Sequence, residues 1–375
     1  MTVRIPDHIR RIGPYVAGKP IEVAERQVGL KGMIKLASNE NPLGPSPRAV
    51  EAIRRAATDV HRYPDSSGET LRRALAERLG VPLGRIVLGN GSTEIVELLA
   101  KAFLLGGGSA VAATGAFIMY GIAVRAMGAR LTLVPLKGDR HDLEAMAAAC
   151  DPSTALVYVG NPNNPTGTYV TRQQMRAYFD RVPEGVLTVL DEAYRDYVLE
   201  EDYADGMEFL RSGRSVVLLR TFSKIHGLAG LRIGYAVTEE RVAEALQAVR
   251  SPFNTSVVAQ MAALAALDDG EHVVRSREAN AREVRFLQGE LARRGVEFVP
   301  SAANFLLVRP GIPGEELHQR LLRHGVIVRP LEAYGLPDAV RVTAGTRPEN
   351  LRFLEALDRS LGEPEPAGGG RPGSS

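Results

Sequence analysis

Tryptophan is absent from this 375-residue chain, and cysteine occurs once, at Cys150. A lone thiol cannot close an intrachain disulfide or build a cysteine-rich metal site, which suits a reducing compartment. Lysine is scarce too: of 46 basic side chains only six are lysine, at positions 19, 31, 35, 101, 137 and 224. The candidate amine nucleophiles are therefore few. The 46 basic residues are balanced by 44 acidic ones and form no basic run, so the chain has no electrostatic footprint for nucleic acid. The histidines share no metal-ligand spacing, and no metal is expected. The first ten residues lack the apolar stretch of a secretory signal, which favours a cytoplasmic location. One segment, Ala102 to Val124, carries no formal charge over 23 residues, long enough on length alone for a membrane span. Its five glycines read instead as a loop between a helix end and a short buried strand, and no membrane partner is expected.

What is present is the composition of an ordinary globular protein, 45% hydrophobic and 24% charged. From about residue 85 to 240, short β-branched runs alternate with amphipathic stretches, the pattern of an α/β domain with a doubly wound, mostly parallel sheet. The expected strands are 86–88, 110–113, 131–134, 155–159, 186–190, 216–219 and 233–237. Helices are expected at 93–104, 142–149, 171–179, 239–249 and 256–267. A long charged helix, 271–294, then leads into a small α+β domain with strands near 305–308, 326–328 and 340–342. The expected organisation is an N-terminal arm (1–40) packing with the small domain, a large domain (41–270), a small domain with its connecting helix (271–361), and a disordered tail (362–375) rich in Pro, Gly and Ser.

Among the lysines, Lys224 stands apart. It lies in Arg220-Thr-Phe-Ser-Lys-Ile-His-Gly-Leu-Ala-Gly-Leu-Arg232, just past an expected strand, with small and hydroxyl neighbours and an arginine eight positions on. A Schiff-base lysine needs desolvation and a nearby cation to be neutral near pH 7, and Lys224 has that setting. Asp191 ends the apolar run 186–190, which puts a carboxylate at the C-terminal edge of a central strand, where ligands bind in open α/β sheets. A protonated pyridine nitrogen is a natural partner for it. Tyr194 can present a phenol in the same crevice, and Asn164, in the turn Asn161-Pro-Asn-Asn-Pro-Thr-Gly167, an amide. After Leu88-Gly-Asn-Gly, Ser92 and Thr93 open a helix whose N-terminal N–H groups attract phosphate. A dinucleotide reading is weak there, because Glu94 stands where G-x-G-x-x-G needs its third glycine.

A Schiff-base lysine, an acid for a pyridinium, a phenol and an amide for a phenolic oxygen, and a phosphate cradle with Arg232 together describe pyridoxal 5′-phosphate. The chain resembles the fold-type-I aminotransferases, and among them the histidinol-phosphate aminotransferase family. The shared pieces are Leu36-Ala-Ser-Asn-Glu-Asn-Pro42, Arg62-Tyr-Pro-Asp65, Gly91-Ser-Thr-Glu94, Asn161 to Gly167, Asp191-Glu-Ala-Tyr194, Thr221-Phe-Ser-Lys224, Gly230-Leu-Arg232, Tyr334-Gly-Leu-Pro and Arg341-Val-Thr.

The resemblance implies that Lys224 holds the cofactor and then moves the substrate proton, with Asp191 on the pyridine nitrogen and Asn164 and Tyr194 on the 3′-oxygen. It implies that Phe117 stacks on the ring. Ser92, Thr93, Thr221, Ser223 and Arg232 would hold the phosphate, joined by Tyr63 of a second subunit, so that the unit is a homodimer with a shared site. Arg341 and Arg329 would bind the substrate's carboxylate or phosphate, with Tyr15 and Asn39 closing the site and Tyr120 either lining the pocket or buried as core. The implied reaction moves an amino group from L-histidinol phosphate to the 2-oxo acid 2-oxoglutarate. An aminotransferase for aromatic or other amino acids, or a threonine-phosphate-type decarboxylase, would use the same lysine. Two departures from the family are Gly115-Ala116 before the stacking aromatic and His226 two residues after Lys224. His226 reads either as a base or, better, as a packed residue behind the site.

Overall fold

β-Branched runs flanked by glycine and by capped helices fix the framework, seen in a computed structural model that describes residues 3–13 and 18–362. The strands in chain order are β1 (Ile34–Lys35) in the N-terminal segment, then β2 (Ile86–Gly89), β3 (Ser109–Ala113), β4 (Arg130–Val134), β5 (Thr154–Gly160), β6 (Leu187–Asp191), β7 (Val216–Thr221) and β8 (Gly234–Val237). β2 to β8 form one seven-stranded sheet in the order β2-β8-β7-β6-β5-β3-β4. All seven expected strands are present, each within about two residues of its expected ends.

Neighbours pair in parallel except β8, which is antiparallel to both β2 and β7. The reversal follows from the connection. β7 returns to β8 through a loop with only one short 3-10 turn, Ala229–Leu231, whereas a parallel partner is usually reached through a crossover helix. β2, β3, β6, β7 and β8 are buried at every residue, as a sheet covered on both faces requires, while β4 at the edge is partly exposed. The covering helices carry their own stop and start signals. Thr171 and Gln174 form a reciprocal capping box at the start of helix Arg172–Phe179, and Ser46 and Ser256 cap Pro47–Ala56 and Val257–Leu267.

The remaining strands are β9 (Glu297–Val299), β10 (Phe305–Arg309), β11 (Val326–Ile327), β12 (Arg329–Pro330) and β13 (Val340–Thr343). Four of them make an antiparallel sheet in the order β12-β13-β10-β9. It has its own core, in which Leu306, Val308, Val340 and Val342 meet Leu317 and Leu321 of helix Gly314–Arg323 and Phe353 and Leu357 of helix Arg347–Gly362. Val284, Leu287 and Leu291 of helix Gly270–Arg293 complete it; at 1.5 Å per residue that helix is about 36 Å long. The strand expected near 326–328 is β11, which pairs in parallel with β1, and a further short strand just past it, β12, pairs with β13. Ala24, Met33 and Ala37 pack with Leu322 and Ile327, so this part of the N-terminal segment lies on the smaller body, whereas its first helix, Asp7–Arg10, packs on helix Ile118–Ala126 beside the larger sheet.

The charge-free stretch 102–124 is divided among the end of helix Gly91–Leu104, β3 and the first two turns of helix Ile118–Ala126. Among the described residues no helix is long and apolar enough to cross a membrane. Residues 363–375 of the expected disordered tail lie outside the described residues.

Candidate active site

Strand polarity brings the chemistry to one edge. Gly160 is in register with Asp191, and Thr221 and Gly89 are both in register with Gly234, so the C-terminal ends of β5, β6, β7 and β2 share one rim. Between this rim and the smaller body lies a cleft with about 1090 Å³ of empty volume. Every described residue assigned a site role from sequence lines it, with one exception, Tyr63. Tyr63 is 82% exposed and stacks on Phe253 at 4.5 Å, outside the cleft of its own chain. Tyr15 lies outside the described residues.

Lys224 projects from the loop after β7. Its Nζ donates to the Ser38 carbonyl at 3.3 Å and sits 5.5 Å from the centre of the Tyr194 ring. Burial, reinforced by the Arg341 and Arg232 charges, pushes its amine down to about 8, although Glu40 and Asp191 oppose this. The amine is thus partly neutral near physiological pH, which an exposed lysine is not.

Asp191 ends β6 with only 7% of its surface exposed. Its Oδ1 accepts from the Ala193 N–H at 3.1 Å and its Oδ2 from the Tyr120 hydroxyl at 2.8 Å. Burial raises the pKa of this carboxyl, and the two donors pull it back down. Tyr120 combines its two expected placements: it lines the cleft and is buried in the core, with its hydroxyl committed to Asp191 and its ring stacked on Tyr158 at 4.7 Å. Phe117 meets Tyr120 edge-on at 5.6 Å.

The Tyr194 hydroxyl accepts from Asn39 Nδ2 at 2.9 Å. Asn39 is held hard: its N–H donates to Thr343 Oγ1 at 2.9 Å and its carbonyl accepts from Asn304 Nδ2 at 3.0 Å, with φ at 55°. The N-terminal segment and the smaller body thereby fix one wall of the cleft. Arg341 donates through one terminal nitrogen to Asn164 Oδ1 and through the other to the Ala37 carbonyl at 2.7 Å, and its buried Nε has no acceptor. Asn164 then has its amide N–H group free of that contact. Arg329 on β12 stands directly opposite Arg341 on β13. Both are at most 7% exposed, and like charges on opposed residues cost free energy that a bound anion offsets.

A second anion cradle lies at the start of helix Gly91–Leu104. Ser92 and Thr93 face the cleft, beside Thr221, Ser223 and Arg232. Arg232 NH1 donates to Ser223 Oγ at 3.3 Å and to the Ala229 carbonyl at 3.1 Å. The approach is close: a Cβ on Gly91 would displace the Arg232 guanidinium, and one on Gly234 would lie 2.7 Å from the Ser92 backbone nitrogen. Helix dipole, free N–H groups and guanidinium all favour a phosphate here.

Other lining residues escaped the reading of the sequence as site residues. Ser38, Glu40 and Tyr334 face the cleft although only their motifs had been noted. His226 is not part of the lining; its ring packs against Phe222 at 5.0 Å and burial holds its pKa down, which fits the packed role. The Cys150 thiol is half-buried and pushed up to about 11, so it stays protonated. No cluster of three or more His, Cys, Asp or Glu side chains among the described residues is placed to hold a metal ion.

Comparison with known proteins adds the family. Residues 31–357 match the family model described as aminotransferase class I and II. A histidinol-phosphate aminotransferase of Anaeromyxobacter sp. is 47% identical over 360 residues, covering 96% of this chain and 99% of that protein. The corresponding protein of Moorella thermoacetica is also 47% identical, covering 94% and 92%. Among solved structures, histidinol-phosphate aminotransferase from Sinorhizobium meliloti, in complex with pyridoxal-5′-phosphate, superposes with a TM-score of 0.88 at 32% identity, covering 96% of this chain and 98% of that one. With a family match over most of its length and a fold of the same kind, the chain belongs to the class I and II aminotransferase family.

Proposed function

We propose that this protein is a pyridoxal-phosphate-dependent aminotransferase that moves the amino group of L-histidinol phosphate to 2-oxoglutarate, giving imidazole-acetol phosphate and L-glutamate. The observation that carries the reading is the Lys224 amine, lowered to about 8, in one cleft with the Asp191 carboxylate and three arginines. The near-full-length identity to histidinol-phosphate aminotransferases supports the choice of substrate.

The residues fit the cofactor. The glycine-floored cradle of Ser92, Thr93, Thr221, Ser223 and Arg232 suits a phosphate, and a buried carboxylate at the strand end suits a protonated ring nitrogen. When bound, pyridoxal phosphate supplies an electron sink for negative charge that develops on the substrate carbon. Lys224 would hold the cofactor through Nζ and would carry a proton from the substrate Cα to the cofactor's C4′. Asp191 would pair with the ring nitrogen and favour its protonated form. Asn164 and Tyr194 would donate to the 3′-oxygen, with Tyr194 oriented by Asn39. Phe117 would flank the ring. Arg341 and Arg329 grip the substrate phosphate, or the carboxylate of the 2-oxo acid, since a guanidinium pairs with either anion.

Asn39 covers the cleft from the N-terminal arm, residues 1–40. The later part of this arm packs with a small domain of 271–361 through Ala24, Met33 and Ala37, and its first helix, Asp7–Arg10, lies against helix Ile118–Ala126 of a large domain of 41–270. The working unit is a cytoplasmic homodimer in which Tyr63 of each subunit reaches the phosphate cradle of the other. Its exposure in the single chain supports that reading.

The test is a panel of kcat/KM values with 2-oxoglutarate as acceptor, for histidinol phosphate, phenylalanine, tyrosine and threonine phosphate. Histidinol phosphate is expected to lead. A preference for an unphosphorylated amino acid by more than about tenfold, ~1.4 kcal/mol of transition-state discrimination, overturns the substrate assignment. Release of carbon dioxide from threonine phosphate overturns the reaction class.

A further inference from the structure

The cleft contains one polar contact that neither the family match nor the substrate explains. Tyr120 lies in the first turn of helix Ile118–Ala126, directly after Phe117, and only 2% of its surface is exposed. Two rings brace it: Tyr158 of β5 is stacked at 4.7 Å with 12° between planes, and Phe117 meets it edge-on at 88°. Braced in this way, the hydroxyl has one direction to point, and it donates to Asp191 Oδ2 at 2.8 Å.

A buried phenol ordinarily needs some partner, so the contact by itself could be mere satisfaction of Tyr120. Tyr158 provides the internal comparison. Its hydroxyl is equally buried in the same stack and has no hydrogen-bond partner. The stack thus supplies no protein acceptor to Tyr158, whereas the Tyr120 hydroxyl is aimed at the strand-end carboxylate. Burial and the neighbouring Glu192 charge both favour the neutral form of Asp191, against which stand Lys224 and the donors Tyr120 and Ala193. The Ala193 N–H occupies Oδ1, so Oδ2 would otherwise face the cleft without a protein donor.

We propose that Tyr120 is a positioning residue that acts through Asp191: its hydroxyl fixes the rotamer of the carboxylate and keeps it ionised, and so strengthens its hold on a protonated ring nitrogen. This rests on the cofactor reading above. It assigns Tyr120 to the cofactor side of the cleft and removes it from substrate recognition. The rings of Tyr158 and Phe117 hold Tyr120 by packing alone.

The experiment uses the holoenzyme and its Tyr120→Phe variant, which keeps both ring contacts and removes only the hydroxyl. Cofactor retention is followed by its visible absorbance after dilution, the same absorbance is titrated with pH, and kcat and KM are measured separately. Loss of a hydrogen bond to a charged acceptor predicts cofactor dissociation faster by about tenfold or more, a shifted absorbance titration, and a fall in kcat larger than any change in KM. Tyr158→Phe, the control in the same stack, is expected to leave all three unchanged. In an Asp191→Asn background the added Tyr120→Phe change should have little further effect on cofactor retention, because its route of action is already cut. Equal retention and titration for Tyr120→Phe and wild type overturn the inference alone. Equal losses from Tyr120→Phe and Tyr158→Phe, or full additivity with Asp191→Asn, also overturn it, by showing a packing effect. A wild-type protein without cofactor absorbance overturns the functional reading and this inference together.

Discussion

Replacing Gly91 by alanine separates backbone strain from loss of function at the phosphate cradle. Gly91 has φ near 74°, where a Cβ costs about 1 kcal/mol. The added carbon would also lie 2.4 Å from Arg232 NH2, and an arginine tip can move aside. The chain should therefore fold, with the guanidinium displaced from the start of helix Gly91–Leu104. One displaced charge-assisted hydrogen bond to phosphate corresponds to about 1.5–3 kcal/mol, or roughly a tenfold to hundredfold weaker cofactor affinity. The matched control is Gly213→Ala, because Gly213 has φ near 79° and nothing within 4 Å of its would-be Cβ. Thermal unfolding of the cofactor-free proteins should show similar small losses for the two variants. Equilibrium dialysis should show weakened cofactor binding only for Gly91→Ala. If the two variants bind the cofactor equally well, the closeness of Gly91 and Arg232 has no bearing on phosphate binding and the reasoning fails.

Two further outcomes follow from the same geometry. His141 is buried, its Nε2 lies 3.1 Å from the Gly160 carbonyl, and burial holds its pKa down to about 4, so the folded state keeps it neutral where the unfolded state takes up a proton. Stability should therefore fall as pH drops from about 6.5 to 4, by about 3 kcal/mol from this group, and His141→Gln should flatten that part of the denaturation profile. If the two subunits share their sites, mixing inactive Tyr63→Ala and Lys224→Ala proteins under conditions of subunit exchange should restore activity, since a mixed pair contains one intact site. An absence of recovery despite demonstrated exchange argues for a site complete within one chain.

The strands were legible because each rests on a local run of β-branched residues, such as Val216-Val-Leu-Leu219, read without reference to any distant residue. Helices Pro47–Ala56 and Ile118–Ala126 were not assigned. The first is amphipathic, but the face it buries is made of the small residues Ala49, Ala52 and Ala56, and the second is apolar with Gly121 in its middle and shows no clear boundary between apolar and polar faces. β9 was not assigned because it is a three-residue strand with only one buried residue.

Lys224, Asp191, Asn164 and the cradle residues could be named in advance because each follows directly on a strand or opens a helix, so the location of its side chain depends on a few neighbours. That local logic extends as far as the list of chemical groups and the ligand they suit. Which group touches which is a matter of pairings across 71 residues for Tyr120 and Asp191, 155 for Asn39 and Tyr194, and 177 for Arg341 and Asn164. Those contacts depend on strand order, on the reversed direction of β8 and on the seating of the smaller body against the sheet. The scarcity of lysine in the sequence thus singled out the nucleophile, while packing lowered its pKa by burial and by the arginines brought beside it.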